Sequence, residues 1–190
     1  YNALLVAPVG LRQGFRALVE REMEHAKAGR PARMIMKNNA VADHGIIKIL
    51  YRASQAGVPI DMIVRGVCCL RPGIPGISDR INVRSIVGQF LEHSRIYYFE
   101  NGGSPEVYIG SADLMERNLD RRVEVLCPVN DPSHRQLLRD AVLEVLLSDT
   151  DRAWTLRNDA TYARTTAPEG VPPLNSQRFL LEWYAAQHES

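Results

Sequence analysis

Apolar residues recur at helical spacing between Val9 and Lys27, at Leu11, Phe15, Leu18, Val19 and Met23. That period predicts an amphipathic helix, closed by Gly29 and Pro31. Leu4–Ala7 before it reads as a strand already under way at Tyr1, so the chain is expected to be a piece of something longer. Arg33 to Lys37 (RMIMK) is a short strand. Asp43 is placed to cap a helix through Ile46, Ile47, Leu50 and Tyr51 that Gly57 ends. Pro59 to Val64 forms the next strand and leaves Arg65-Gly66 at its carboxyl end. The order βαβαβ predicts a largely parallel sheet.

The pattern changes after Val64. Pro72, Gly73, Pro75 and Gly76 make Leu70 to Ser78 a rigid loop. Val83 to Leu91 has helical spacing and is expected to be a helix ending near His93. Arg95 to Phe99 and Glu106 to Ile109 flank Asn101-Gly102-Gly103, a hairpin signal. Arg121 to Leu126 reads as a further strand, and Pro132 to Leu147 as an amphipathic helix through Leu137, Leu138, Val142, Val145 and Leu146. Residues 151–175 are rich in loop formers, and Ser176 to Gln187 offers a last short helix. The expected organisation is an α/β domain over 1–150 with a tail, 151–190, whose helix packs on it.

Composition allows a real core. Apolar residues are 45% of the 190, charged residues 24%, and a chain this long buries roughly 70% of its unfolded surface. The net charge of +1 provides no overall field for nucleic acid or membrane, so a polyanion site has to be a local concentration of basic groups. Arginine far outnumbers lysine, and its planar fork suits bidentate contact with phosphate. Three cysteines, two of them adjacent (Cys68, Cys69 and Cys127), argue against a disulfide framework and for a reducing compartment. With no CxxC pair or Cys/His cluster, zinc is not expected. No apolar run reaches the roughly 18 residues that span a bilayer.

The segment richest in chemistry is Glu92 to Asp113, EHSRIYYFENGGSPEVYIGSAD. His93 and Arg95 stand two apart at the start of a strand and project to the same side, where an imidazole beside a cation can grip or attack a phosphoryl group. After the hairpin, Gly110-Ser111-Ala112-Asp113 opens a turn whose N–H groups can point at phosphate oxygens. The pattern resembles the HxKxxxxD…GSxN motif of the phospholipase D superfamily, with Arg for Lys, Glu for Asp and Asp for Asn. Only one copy is present, whereas that chemistry pairs two histidines.

A wider set of blocks resembles the polyphosphate kinase family. Lys37 to Asp43 (KNNAVAD), Leu50 to Ser54, Gly57-Val58-Pro59, Val64-Arg65-Gly66, Gly76-Ile77-Ser78, Arg84 to Gly88, Phe90 to Arg95 and Arg117 to Glu124 follow one another in register from Tyr1 to about Asp151. The resemblance implies a phospholipase-D-like mixed β-sheet flanked by helices on both faces. It implies reversible transfer of the terminal phosphate of ATP to inorganic polyphosphate through a phosphohistidine in a domain outside this chain. Arg65 and His93 match family residues that bind the nucleotide phosphates, with His93 also catalytic. Magnesium is expected with ATP, its ligands not in this chain. The implied partners are ATP and ADP, inorganic polyphosphate, the remaining domains of the polypeptide and further copies of it, with no nucleic acid. The implied location is the cytoplasm, with membrane association through the full-length complex left open. Gln89 stands where the family has a second arginine, which removes one phosphate contact.

Other residues weigh less. Lys37 reads as a solvated strand-end lysine. Arg117, Arg121 and Arg122 could line a polyanion channel, one of the last two facing inward, or could pair with Asp113, Asp120 or Glu124. His25, His44, His134 and His188 read as surface, and Cys68-Cys69 as buried. Trp154, Trp183 and Tyr184 are expected to anchor the tail. Two other functions fit the same motif: a phosphodiesterase half-site using His93 as nucleophile, or a polyanion-binding module without catalysis.

Overall fold

In the computed structural model, which describes residues 4–188, the chain opens with β1 (Leu5–Ala7), α1 (Leu11–Lys27), β2 (Met34–Asn38), α2 (His44–Gln55) and β3 (Ile60–Val64). It continues through β4 (Ile81–Ile86), β5 (Arg95–Phe99), β6 (Glu106–Gly110) and β7 (Glu124–Pro128) to α3 (Pro132–Gln136). A wider-wound stretch (Leu137–Leu143) joins α3 to α4 (Glu144–Leu147), followed by β8 (Ala153–Leu156), β9 (Tyr162–Arg164) and α5 (Ser176–His188). The strand attributed to the amino terminus includes Leu5–Ala7; Tyr1 to Ala3 lie outside the described residues.

Among the described residues, all the strands join one mixed sheet in the order β1-β7-β6-β5-β2-β3-β4-β8-β9. Only β2, β3 and β4 pair in parallel; the remaining neighbours are antiparallel. The expected largely parallel sheet is therefore a parallel centre between antiparallel wings. β1 runs in the same direction as β2, but the β5–β6–β7 meander lies between them.

The pleat divides the core. Met34 and Met36, Ile60 and Met62, and Tyr97 and Phe99 meet the buried side of α1 and α2. Ile35, Ile63, Ile96, Tyr98 and Val107 meet Leu143 and Leu146, with Leu180 of α5 against them. Helices cover both faces, as the sequence suggested. The run from Pro132 to Leu147 is helical with a wider central turn, which brings Leu138 and Leu143, five apart, onto the same face of the sheet.

Two segments differ from the hydrophobic pattern. Val83 to Leu91 is not a helix: Ile81–Ile86 is a strand, and residues 87–91 have no regular element. Val83, Ile86, Val87 and Phe90 fall at helical intervals by coincidence, while Ile81, Val83 and Ser85 alternate into the core with a period of two. Within 151–175, β8 pairs with β4 and β9 with β8, so two strands extend the sheet where loop formers had masked them. β7 starts at Glu124, because Arg117–Arg121 form a single wide helical turn.

The ends of α1 and α2 are joined by charge. Asp43 accepts the Ile46 N–H at 2.8 Å, as its position before the apolar run predicts, and both its oxygens bind Arg12 at 2.8 and 2.7 Å. Arg12 also holds Asp120 at 2.7 Å. Burial raises the Asp43 carboxyl, but the Arg12 guanidinium and the Ile46 N–H outweigh it and hold it below the usual carboxylate range. A group depressed in the folded state stabilises above its unfolded pKa, and that stabilisation is lost as pH falls through the folded value. Glu22 has the opposite sign, since burial pushes its carboxyl up. Thermal melts from pH 7 to 3 should show the melting temperature falling below about pH 4, and Asp43→Asn should flatten that fall. An unchanged acid limb in the variant would contradict this assignment.

Candidate functional site

The strands β2, β3 and β6 end at the same edge of the sheet where β5 begins. Their following loops zip together beyond the ladder. Val41 N–H donates to Val67 O at 2.8 Å and Cys69 N–H to Val41 O at 2.8 Å. Ala42 N–H donates to Leu114 O at 2.9 Å, and Leu114 N–H to Ala40 O at 3.1 Å. Close approach requires glycine at two places: a Cβ on Gly66 would lie 2.9 Å from Asn39 O, and one on Gly110 would overlap the Val125 carbonyl. A rigid rim results, of the kind on which open α/β sheets place ligands.

Side chains on this rim form one chain of hydrogen bonds. Arg65 Nε donates to Asn39 Oδ1 at 3.0 Å. The Asn39 Nδ2 donates to Asp113 Oδ1 at 3.2 Å, and the Asn39 backbone N–H to the same oxygen at 2.7 Å. Arg95 grips Asp113 with Nε at 3.2 Å and a terminal nitrogen at 3.1 Å, and its other terminal nitrogen donates to the His93 carbonyl at 2.9 Å. Burial raises Asp113, but Arg95 and the Asn39 N–H together keep its carboxyl below the usual range. Asp113 thus remains an anion that orients both neighbours.

The sequence-selected pair is only partly brought together. Arg65 follows Ile63 and leans to the α4 face, whereas Arg95 precedes Tyr97 and leans to the α1 face. Asn39 and Asp113 join the two arginines at the strand ends. His93 lies at the same edge, in the exposed segment 87–94 between β4 and β5. No hydrogen bond or ion pair among the described residues joins its imidazole to Arg65. Asn39, the residue that couples the arginines, was missed. An asparagine immediately after a strand and beside a charged partner's loop was its only trace.

Lys37 is not solvated, contrary to the sequence reading. It is 5% exposed and spends its ammonium on Glu92 Oε2 at 3.0 Å, Ser94 Oγ at 2.8 Å and Ser94 O at 3.2 Å. Burying the aliphatic stem beside Ile63 while all three N–H bonds are met makes this position tolerable. Arg117, Arg121 and Arg122 are all exposed, so neither of the adjacent pair faces inward. Arg121 pairs with Glu116 at 2.7 Å, and among the described residues no ion pair within 4 Å joins it to Asp113, Asp120 or Glu124. His25 is half-buried between Arg30 and Asn101, and the side chain of His188 lies outside the described residues. Cys68 is half-buried, its thiol pushed up to about 11 by burial, while Cys69 is exposed because the zipped loop turns it outward. Trp183 packs edge-on to Tyr184 at 4.7 Å, and Trp154 lies in β8.

The chain matches the family described as polyphosphate kinase C-terminal domain 2 over residues 4–177. It belongs to the polyphosphate kinase family. It is 57% identical over 169 residues to the polyphosphate kinase of Thermosynechococcus vestitus, covering 88% of this chain and 23% of that protein. Against the Streptomyces coelicolor polyphosphate kinase it is 50% identical over 183 residues, covering 96% of this chain and 24% of that one. The crystal structure of polyphosphate kinase from Porphyromonas gingivalis superposes with a TM-score of 0.93 at 41% identity, over 98% of this chain and 28% of that chain. The chain thus spans about a quarter of the length of these relatives.

Two smaller structures share the fold alone. NucT from Helicobacter pylori has a TM-score of 0.53 at 12% identity over 76% of this chain and 94% of its own. Nuc from Salmonella typhimurium, a phospholipase D family member, has 0.51 at 14% over 74% of this chain and 90% of its own. The fold of this polyphosphate kinase domain is phospholipase-D-like. No helix among the described residues is long and apolar enough to cross a membrane.

Proposed function

We propose that this chain is the part of a polyphosphate kinase that grips nucleotide and polymer phosphates, with Arg65 and His93 as the gripping pair. The reaction is reversible transfer of the terminal phosphoryl group of ATP to the end of inorganic polyphosphate. It passes through a phosphohistidine carried by a domain outside this chain. ADP leaves in the first half, and a terminal oxygen of polyphosphate takes the phosphoryl group in the second.

One observation carries the reading. Arg65 is fixed through Nε alone by Asn39, so the two terminal nitrogens of its guanidinium are without a protein partner among the described residues and present an open fork. Phosphoryl transfer needs positioning and neutralisation of charge spread over three oxygens more than it needs covalent help from each group. A held fork with two unspent donors is suited to that task. The His93 imidazole, exposed on the neighbouring loop, can give or take a proton at a phosphate oxygen.

Magnesium arrives with ATP. Among the described residues no group of three His, Cys, Asp or Glu side chains is placed to hold an ion. ATP and ADP, inorganic polyphosphate and the other domains of the polypeptide are the partners, in a cytoplasmic homo-oligomer that does not use nucleic acid.

In the full-length enzyme, Arg65→Ala should lower kcat/KM for ATP-driven polyphosphate formation by about 10²–10³ and His93→Ala by about 10²–10⁴. Arg65→Lys should recover little, because an ammonium lacks the fork. Either alanine variant within a few-fold of wild type would contradict the roles assigned. The isolated chain should neither phosphorylate itself nor make polymer. Hydrolysis of a chromogenic phosphodiester by this chain, lost in His93→Ala, would instead support the phosphodiesterase reading.

A further inference from the structure

We infer that Gln177, at the first turn of α5, is a positioning residue that sets the place of His93 through the segment 87–94. The inference rests on the proposed role of His93 and assigns a task to the carboxyl-terminal helix that the motif does not cover.

The segment 87–94 does not support itself. It has no helix or ladder of its own, and it leaves Val87 63%, Phe90 46% and Leu91 70% exposed. Its backbone is tied at the start by Val87 N–H to Arg152 O at 3.1 Å. Beyond that, side chains from other elements hold it. The Gln177 carboxamide pairs with Phe90 as a neighbouring strand would: Phe90 N–H donates to Oε1 at 3.0 Å, and Nε2 donates to Phe90 O at 2.9 Å. The same Nε2 donates to Glu92 Oε1 at 2.8 Å. The other Glu92 oxygen meets Lys37 at 3.0 Å, and Lys37 closes the loop on Ser94. Glu92 and Ser94 flank His93 on both sides. A Cβ on Gly88 would overlap the Gln177 amide, so the segment is laid against this one side chain without slack.

Gln177 itself is fixed from behind. Its neighbour Ser176 donates from both N–H and hydroxyl to Asp149 Oδ2 at 2.8 and 2.6 Å. One path from the buried Asp149 carboxylate to the residues on either side of His93 therefore runs through Ser176, Gln177, Glu92, Lys37 and Ser94, while Arg95 holds the His93 carbonyl itself at 2.9 Å. Displacement of a reacting group by about 1 Å can cost about 10² in rate, so loosening this clamp should act on the step that His93 serves.

The test is a double-mutant cycle in the full-length enzyme, reading kcat/KM for polyphosphate formation in Gln177→Ala, His93→Ala and the double variant, with melting temperatures alongside. Gln177→Ala should cost about 10- to 100-fold when His93 is present and less than about threefold when it is already absent. A merely structural role would give the same loss in both backgrounds. Glu92→Ala, in the surface segment, should behave alike and carries the test if Gln177→Ala folds poorly. A silent effect of both variants, or a full additive loss on top of His93→Ala, overturns the positioning role while the function of His93 stands. A silent His93→Ala overturns both.

Discussion

Replacing Asp113 with alanine is expected to lower the free energy of unfolding by about 3–5 kcal/mol, the range for removing one partner of a buried ion pair. The pair with Arg95 is largely withdrawn from water, with side-chain exposures of 18% and 9%. Removal would leave a guanidinium with its charge uncompensated and the Asn39 N–H and amide without their acceptor. Asp113→Asn is the milder control. It keeps an oxygen for the Asn39 N–H but turns an NH2 toward Arg95, and should cost about 1.5–3 kcal/mol. Denaturant melts with a common slope would measure both. Because Asn39 is held by Asp113 and in turn holds Arg65, the alanine variant should also release the Arg65 fork and weaken phosphate binding. Near-wild-type stability in Asp113→Ala would mean that the rim is held by its loops alone.

Asp149→Ala is expected to cost about 3–4 kcal/mol and to act locally first. This carboxylate is fully buried and accepts five hydrogen bonds from protein donors. Asp151, Arg152 and Ala153 N–H reach Oδ1 at 3.1, 2.6 and 3.0 Å, and Ser176 supplies the two to Oδ2. It joins the entry of β8 to the start of α5, so its loss unpins both. Hydrogen exchange should show protection falling in β8, β9 and the first turn of α5 while β2, β3 and β5 keep theirs. Uniform loss across the sheet would contradict a local hub. Kinetic loss through the segment 87–94 should accompany the unpinning, since Gln177 follows Ser176.

What was legible in the sequence was whatever is written locally. The period of Leu11, Phe15, Leu18 and Met23 fixes α1, Asp43 caps α2 where its position before Ile46 says it should, and the Asn101-Gly102-Gly103 signal lies between β5 and β6. The strand boundaries placed Arg65 at the carboxyl end of β3 and His93 just before β5. Ile81–Ile86 was misread because an apolar set can satisfy periods of two and of nearly four over so few residues, and only pairing with β3 and β8 decides between them. Lys37 was misread because burial of a lysine depends on partners 55 and 57 residues away in sequence, Glu92 and Ser94. Asn39, Asp149 and Gln177 carry no local mark of their tasks: their partners lie on other strands and loops. A helix start at Ser176 was readable, but what it points at was not.

If Arg65 and His93 serve one anion, inorganic tripolyphosphate titrated into this chain labelled with nitrogen-15 should move the Arg65 Nε and His93 ring resonances along one binding curve. Asp113→Ala should weaken the two equally. Movement of only one, or saturation at different concentrations, would contradict a shared anion.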